Sequence, residues 1–236
     1  MEMRRAAARV VAPSPPQGRE VHVWSIDLRA AEAGPSQWLD EAELGRARRF
    51  VYADDATRYL RAHLALRAIL GAYLRREPAE LRFAQSEHGK PSLVLDGGGW
   101  PFNLSHSKDI AVVAIASGGE VGVDVEAVGD DLPSADLAAA VLCAEESEDL
   151  ARMPTAAQAA CFVACWTRKE ACLKAVGLGL SLEPRTLHVG LEPRRLELRI
   201  AGHELVVDAL AVPRGYRAAV AAVGGLGPLR DFVFEA

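Results

Sequence analysis

The sequence predicts an α+β fold laid out as two successive halves, each carrying several strands and one long helix. Three observations predict it. Alternating, β-branched runs such as Val21-His22-Val23-Trp24-Ser25-Ile26-Asp27-Leu28 recur along the chain. Stretches of helical periodicity at 54–76 and 155–176 exceed the others in length and fall one in each half. The 236 residues suit one large domain or two small ones, each able to bury a core.

The elements follow in order. Residues 1–19 carry Arg4, Arg5 and Arg9, then Pro13, Pro15 and Pro16, and read as a flexible leader. No apolar run reaches signal-peptide or membrane-span length. The first half, 20–118, opens with the strand over 21–28. Residues 36–50 read as helical. The helix over 54–76 places Leu60, Leu64, Ala68 and Tyr73 near helical spacing and stops before Pro78. Strands are expected near 81–83 and 92–95, around a turn at Gly89. Asp96-Gly97-Gly98-Gly99 is a loop, and Ser105 and His106 read as lying in another. Ile110–Ala116 and Val121–Val125 read as a hairpin across Gly118-Gly119. In the second half, 119–236, helices are expected over 134–142, 145–152 and 155–176, the last ended by Gly177 and Gly179. Strands over 186–190, 195–201, 204–210 and 216–223 complete it.

Composition narrows the function. A net charge of −5 and a pI near 5.7 argue against a nucleic-acid partner. The four cysteines show neither C-x-x-C nor zinc-ligand spacing, and read as small buried thiols in a reducing, cytoplasmic setting. Charge is unevenly spread. Residues 43–77 hold eight arginines against four acids, and residues 120–150 hold ten acids with no Lys or Arg. Such a pair of regions can hold a polyphosphate and its metal, or be two solvated helix faces.

Several segments could do chemistry. In Gly122-Val123-Asp124-Val125-Glu126, strand alternation sends Asp124 and Glu126 to one face and Val123 and Val125 to the core. Paired carboxylates suit a magnesium ion, which takes hard oxygen ligands, or a solvent-facing edge. In the helix holding Trp166-Thr167-Arg168-Lys169-Glu170, residues Trp166, Glu170 and Lys174 share one face at i, i+4 and i+8. Glu170 could be a third ligand or a base, and Lys174 a phosphate contact; a plain surface ion pair is the alternative. In Phe102-Asn103-Leu104-Ser105-His106-Ser107, a hydroxyl and an imidazole can both donate to phosphate oxygens. Glu87-His88-Gly89-Lys90-Pro91 projects Lys90 from a turn, without P-loop spacing.

Taken in order, these segments, with Arg48-Arg49-Phe50, Asp55-Ala56-Thr57-Arg58 and Gly177-Leu178-Gly179-Leu180, resemble the Sfp-type 4'-phosphopantetheinyl transferase family over residues 21–223. The resemblance implies a pseudo-two-fold monomer of two similar halves, each a small antiparallel sheet with a long helix, holding coenzyme A between them. It implies magnesium on Asp124, Glu126 and Glu170, pyrophosphate contacts from Ser105, His106 and Lys174, and adenosine-end contacts from Lys90, Arg46 and Arg58. Asp124 is then central to catalysis, with Glu170 or Lys169 as the base for the attacking serine. The implied reaction moves the phosphopantetheine of coenzyme A to a serine of an apo acyl or peptidyl carrier protein, in polyketide or non-ribosomal peptide synthesis, releasing 3',5'-ADP. Neither a nucleic acid nor a membrane is an expected partner. Two positions depart from the family pattern: Glu43 stands where one branch has lysine, and Cys143 where Ser or Thr usually opens the helix before Glu146.

Overall fold

The computed structural model describes residues 10, 13–30, 34–95, 99–129 and 131–235. Most of the expected leader, and Asp96, Gly97 and Gly98 of the expected loop, lie outside them. The first half runs β1 (Val21–Asp27), α1 (Glu41–Ala47), α2 (Ala53–Leu74), β2 (Phe83–Gln85), β3 (Pro91–Leu93), β4 (Phe102–Ser107) and β5 (Ile110–Ala116). The second runs β6 (Val121–Ala127), α3 (Ala135–Val141), α4 (Ala144–Arg152), α5 (Thr155–Val176), β7 (Leu196–Ile200), β8 (His203–Ala209), β9 (Tyr216–Val223) and β10 (Leu229–Phe234).

Two four-stranded sheets organise these elements, in the orders β10-β1-β5-β4 and β6-β9-β8-β7. One face of the first sheet packs Trp24, Ile26, Val113 and Ile115 against Ala62, Leu66, Ile69 and Leu70 of α2. One face of the second packs Leu205, Val207, Ala219 and Ala221 against Ala171, Cys172 and Ala175 of α5. The remaining faces meet each other through Val21, Val23, Val112, Val123, Val125 and Val220. The result is helix, sheet, sheet, helix, with β-branched side chains between the sheets, where strand propensity and burial agree. No helix among the described residues is long and apolar enough to cross a membrane. All four cysteines are free, Cys165 and Cys172 buried within α5.

The mixed α+β architecture matches the expectation, and four details correct it. β5 and β6 do not pair as a hairpin: the chain leaves the first sheet after Ala116 and enters the second at Val121. β10 pairs parallel with β1, so the first sheet is not purely antiparallel. Residues 102–107 form a strand rather than a loop. Residues 187–190 form no strand, because side chains have claimed their backbone: Glu146 accepts from the Val189 and Gly190 N–H groups, and Arg168 donates to the Gly190 carbonyl.

Candidate active site

The seam between the two sheets is built by β4. Its side chains alternate, so Phe102 and Leu104 join the core under α2 while Asn103, Ser105 and Ser107 face β6. β6 is an edge strand, with unpaired backbone N–H groups on that side. The three β4 side chains accept from them: Val123 N–H to Asn103 Oδ1 at 2.9 Å, Val125 N–H to Ser105 Oγ at 3.3 Å, and Ala127 N–H to Ser107 Oγ at 3.1 Å. A polar segment that looks like a loop in sequence thus acts as a side-chain ladder joining two sheets. Sequence reasoning missed Asn103 and Ser107; their period-two spacing with Ser105 was the available signal.

From the same strand, Asp124 and Glu126 face α5. Gly122 makes this approach possible, since a Cβ there would stand 2.2 Å from the Ala171 carbonyl oxygen and 2.3 Å from the Ala175 nitrogen. α5 brings Glu170 and Lys174 to Asp124. The Lys174 ammonium lies 2.6 Å from Asp124 Oδ1, and the Ser105 hydroxyl donates to the same oxygen at 2.8 Å. Ser105 also lies 3.2 Å from Lys174 Nζ, so its oxygen is engaged within the protein on every side and orients Asp124.

The carboxylates are short of positive charge. Burial raises the pKa of Glu170, Lys174 opposes this, and Asp124 and Glu126 push it up again. Glu126 is likewise raised by burial, with Asp124 adding to the rise and Ser107, Lys174 and Trp166 offsetting part of it. Two buried oxygens, Asp124 Oδ2 and Glu170 Oε1, have no hydrogen-bond partner. Buried carboxylate oxygens are normally paired, because desolvating them unpaired costs several kcal/mol at roughly the scale of a lost charged hydrogen bond. Orphaned carboxylate oxygens are hard donors of the kind a divalent cation such as magnesium takes.

Lys169 does not join this group. It is fully buried one step round α5, with its ammonium 2.5 Å from Glu146 Oε2 and 2.7 Å from the Val141 carbonyl. A base there would first have to abandon Glu146. Cys143, Glu146 and His188 hold ligand atoms within 4.8 Å of one another. Glu146, however, already accepts from Lys169, Cys143 N–H, Val189 N–H and Gly190 N–H. That set of bonds makes it a structural anchor with no carboxylate oxygen left over.

A cleft of about 690 Å³ opens beside the seam on the α2 side. His106, on the opposite face of β4 from Ser105, lines it, with Arg46, Arg49, Phe50, Tyr59 and His63. The Arg46 guanidinium stands 5.9 Å over the Tyr59 ring. Burial, then the charges of His63, Lys174 and Arg46, lower the His106 pKa to about 4, so this imidazole is neutral at pH 7. Of the residues assigned to the adenosine end, Arg46 lines the cleft. Lys90 sits at its rim and reaches across to Glu120 at 2.6 Å and to the Ala175 carbonyl at 3.0 Å. Arg58 is held by Asp109 at 3.0 Å and Asp55 at 3.1 Å. Tyr59 and His63 were not singled out from sequence, although they share a helix face at i, i+4.

Comparison with known proteins bears directly on this arrangement. A family model described as 4'-phosphopantetheinyl transferase superfamily matches residues 120–221, and one described as 4'-phosphopantetheinyl transferase, N-terminal, matches residues 33–118. The 4'-phosphopantetheinyl transferase HetI of Nostoc sp. is 33% identical over 229 residues, covering 91% of this chain and 94% of that one. The 4'-phosphopantetheinyl transferase ffp of Bacillus subtilis is 30% identical over 180 residues, covering 75% and 79%. Sfp of Bacillus subtilis is 28% identical over 180 residues, again covering 75% and 79%. With a full-length relative and both halves matched, the chain belongs to the 4'-phosphopantetheinyl transferase family.

Proposed function

We propose that this transferase moves the 4'-phosphopantetheine of coenzyme A onto a serine of an apo acyl or peptidyl carrier protein, with magnesium held by Asp124, Glu126 and Glu170. The observation that carries the reading is the pair of buried, unpartnered oxygens, Asp124 Oδ2 and Glu170 Oε1, beside Lys174 and next to an aromatic-lined cleft that also presents Arg46 and Arg49. When bound, the ion would neutralise charge on the donor's pyrophosphate.

The chain's own residues do the rest. Arg46 and the aromatic walls of the cleft hold the nucleoside end, while Lys174 presents its ammonium to the pyrophosphate. Lys90 and Arg58 join only by exchanging their present carboxylate partners. His106 contributes as a neutral hydrogen-bonding group. Ser105 acts by fixing Asp124. The carrier serine oxygen forms a bond to the pantetheine-side phosphorus, and the bond from that phosphorus to the bridging oxygen breaks. The bridging oxygen leaves with 3',5'-ADP, and the serine proton passes to Glu170. We place the enzyme in the cytoplasm as a monomer serving polyketide or non-ribosomal peptide carriers.

Intact-mass spectrometry of an apo carrier protein, incubated with this enzyme, coenzyme A and magnesium, tests the proposal. A gain of about 340 Da, the phosphopantetheinyl increment expected of this phosphoryl transfer, should appear and vanish with EDTA. Consumption of coenzyme A without a mass gain would point to hydrolysis instead. Binding without either would point to a coenzyme A sensor.

A further inference from the structure

A cation stands beside the carboxylate cluster without joining it. β9 pairs antiparallel with β6, and the register sets Arg217 opposite Glu126. Ala219 and Ala221 of β9 pack against α5, so strand alternation sends Arg217 to that same face, the face of Asp124 and Glu126. Opposed residues on one face of a sheet have Cβ atoms about 4.5–5.5 Å apart, and opposite charges placed so attract. Arg217 is nevertheless exposed, donates to the Tyr216 carbonyl at 2.8 Å, and forms no ion pair among the described residues. Its guanidinium is a free set of N–H donors at the edge of the site.

Position and charge both give it work. Moving away from the α2 cleft, the strands come in the order β4, β6, β9, with side chains bridging the first two. Lys174 serves Asp124, midway along β6, and Arg217 stands by Glu126 near that strand's end. With Asp124, Glu126 and Glu170 ionised and Lys174 charged, the cluster is two charges negative, and a divalent ion brings it to neutrality. A pyrophosphate diester then adds two more negative charges, and the neutral His106 balances neither.

We propose that Arg217 is a further catalytic residue, which leaves the Tyr216 carbonyl and binds the oxygens of the phosphoryl group being transferred. The inference rests on coenzyme A being the donor. With its nucleoside end in the α2 cleft, the phosphorus on the pantetheine side lies towards β9. A guanidinium offers paired N–H donors that match phosphate oxygens, and phosphoryl transfer asks for charge neutralisation on those oxygens. Arg217 keeps its proton throughout and forms no covalent bond.

Calorimetric titration of the full-length protein, in magnesium, with 3',5'-ADP and with 3'-phosphoadenosine 5'-diphosphate tests this. The two ligands differ only by a phosphoryl group standing where the transferred one does. Wild type should bind the diphosphate more tightly. Arg217→Ala should weaken diphosphate binding about tenfold or more, the scale of one charge-assisted hydrogen bond, and leave 3',5'-ADP affinity within about twofold. Arg217→Lys should recover part of the loss, because a point charge replaces a planar fork. In transfer to a carrier, Arg217→Ala, with a melting curve confirming its fold, should lower kcat by roughly a hundredfold and leave the carrier KM near wild type. Wild-type diphosphate affinity and kcat in that variant would overturn the proposal. A raised carrier KM as the sole change would assign Arg217 to the protein partner and overturn it too, as would equal weakening of both nucleotides. An Arg217-dependent preference for the diphosphate in an enzyme that transfers nothing to any carrier would uphold the phosphoryl contact and sink the transfer reading alone.

Discussion

Glu170 and Lys169 are neighbours in sequence with opposite fates. Glu170 turns towards Asp124 and keeps an unpaired buried oxygen; Lys169 turns into the core and pairs with Glu146. The sequence left the base open between them, because helical spacing gives a face but not what covers it. Lys169 is covered on one side by the Val141 carbonyl and on the other by a glutamate that also ties down residues 189 and 190. Lys169→Met should therefore act on stability. Breaking a buried pair costs on the order of 3–5 kcal/mol, so the urea midpoint should fall well below wild type. Where the variant is folded, its kcat should stay near wild type. An unchanged midpoint with kcat lost would return Lys169 to the chemistry. That Asp124 and Glu126 share a face was legible because Asp-x-Glu on a strand has a fixed geometry. The orientation of Ser105 was not, because a serine in a polar run looks the same whether it faces water or a carboxylate.

At the scale of elements, α5 was legible from 155 to 176 because a proline precedes it and glycines follow it. β4 was not, because Asn103, Ser105 and Ser107 mimic loop composition while paying out their polarity to an edge strand. β10 was missed for a related reason: it is a short edge strand whose partner, β1, lies at the other end of the chain. The close fit of α5 on β6 is the element-level requirement for the site. Gly122→Ala would put a methyl into the helix backbone, with the Ala171 and Ala175 main-chain atoms inside 2.4 Å. That contact should push α5 outward, lower the melting temperature by several degrees and take Glu170 and Lys174 away from Asp124. Wild-type melting and activity in this variant would show that the helix does not need so close an approach. Asn103→Ala tests the ladder more gently. It leaves the buried Val123 N–H unpaired, at a cost of about 1–3 kcal/mol read by urea denaturation.

The whole molecule is two sheets back to back with a helix outside each; β10 carries the second half into the first sheet beside β1, and the two sheets are held in register by side chains rather than by a shared ladder. The first half carries a buried charge network with a pH signature. Burial pushes the Glu43 pKa up, but bonds from His63, Arg67 and the Asp40 backbone outweigh it and hold the carboxyl at about 2, against 4.5 unperturbed. A depressed carboxyl stabilises the fold above its unfolded pKa and loses that contribution as pH falls through its folded one. Stability should therefore decline between about pH 4.5 and pH 2, by about 3 kcal/mol from this group. Glu43→Gln should be less stable at pH 7, with its buried Arg67 short of a partner, and should lack that part of the acid slope. An acid slope identical to wild type would contradict the network. The overall α+β character and the identity of both long helices could be read from periodicity. The crossing of the chain between sheets at Gly118-Gly119 could not, because a glycine turn between two strands reads the same whether or not they pair. The proposed catalytic centre is the seam between the sheets. Its most direct test is single-turnover transfer from coenzyme A to an apo carrier, followed by intact mass, with Asp124→Asn and Glu170→Gln enzymes whose melting curves confirm folding. Transfer should slow by roughly a hundred- to a thousandfold or more in both. Transfer at the wild-type rate by either folded variant would contradict it.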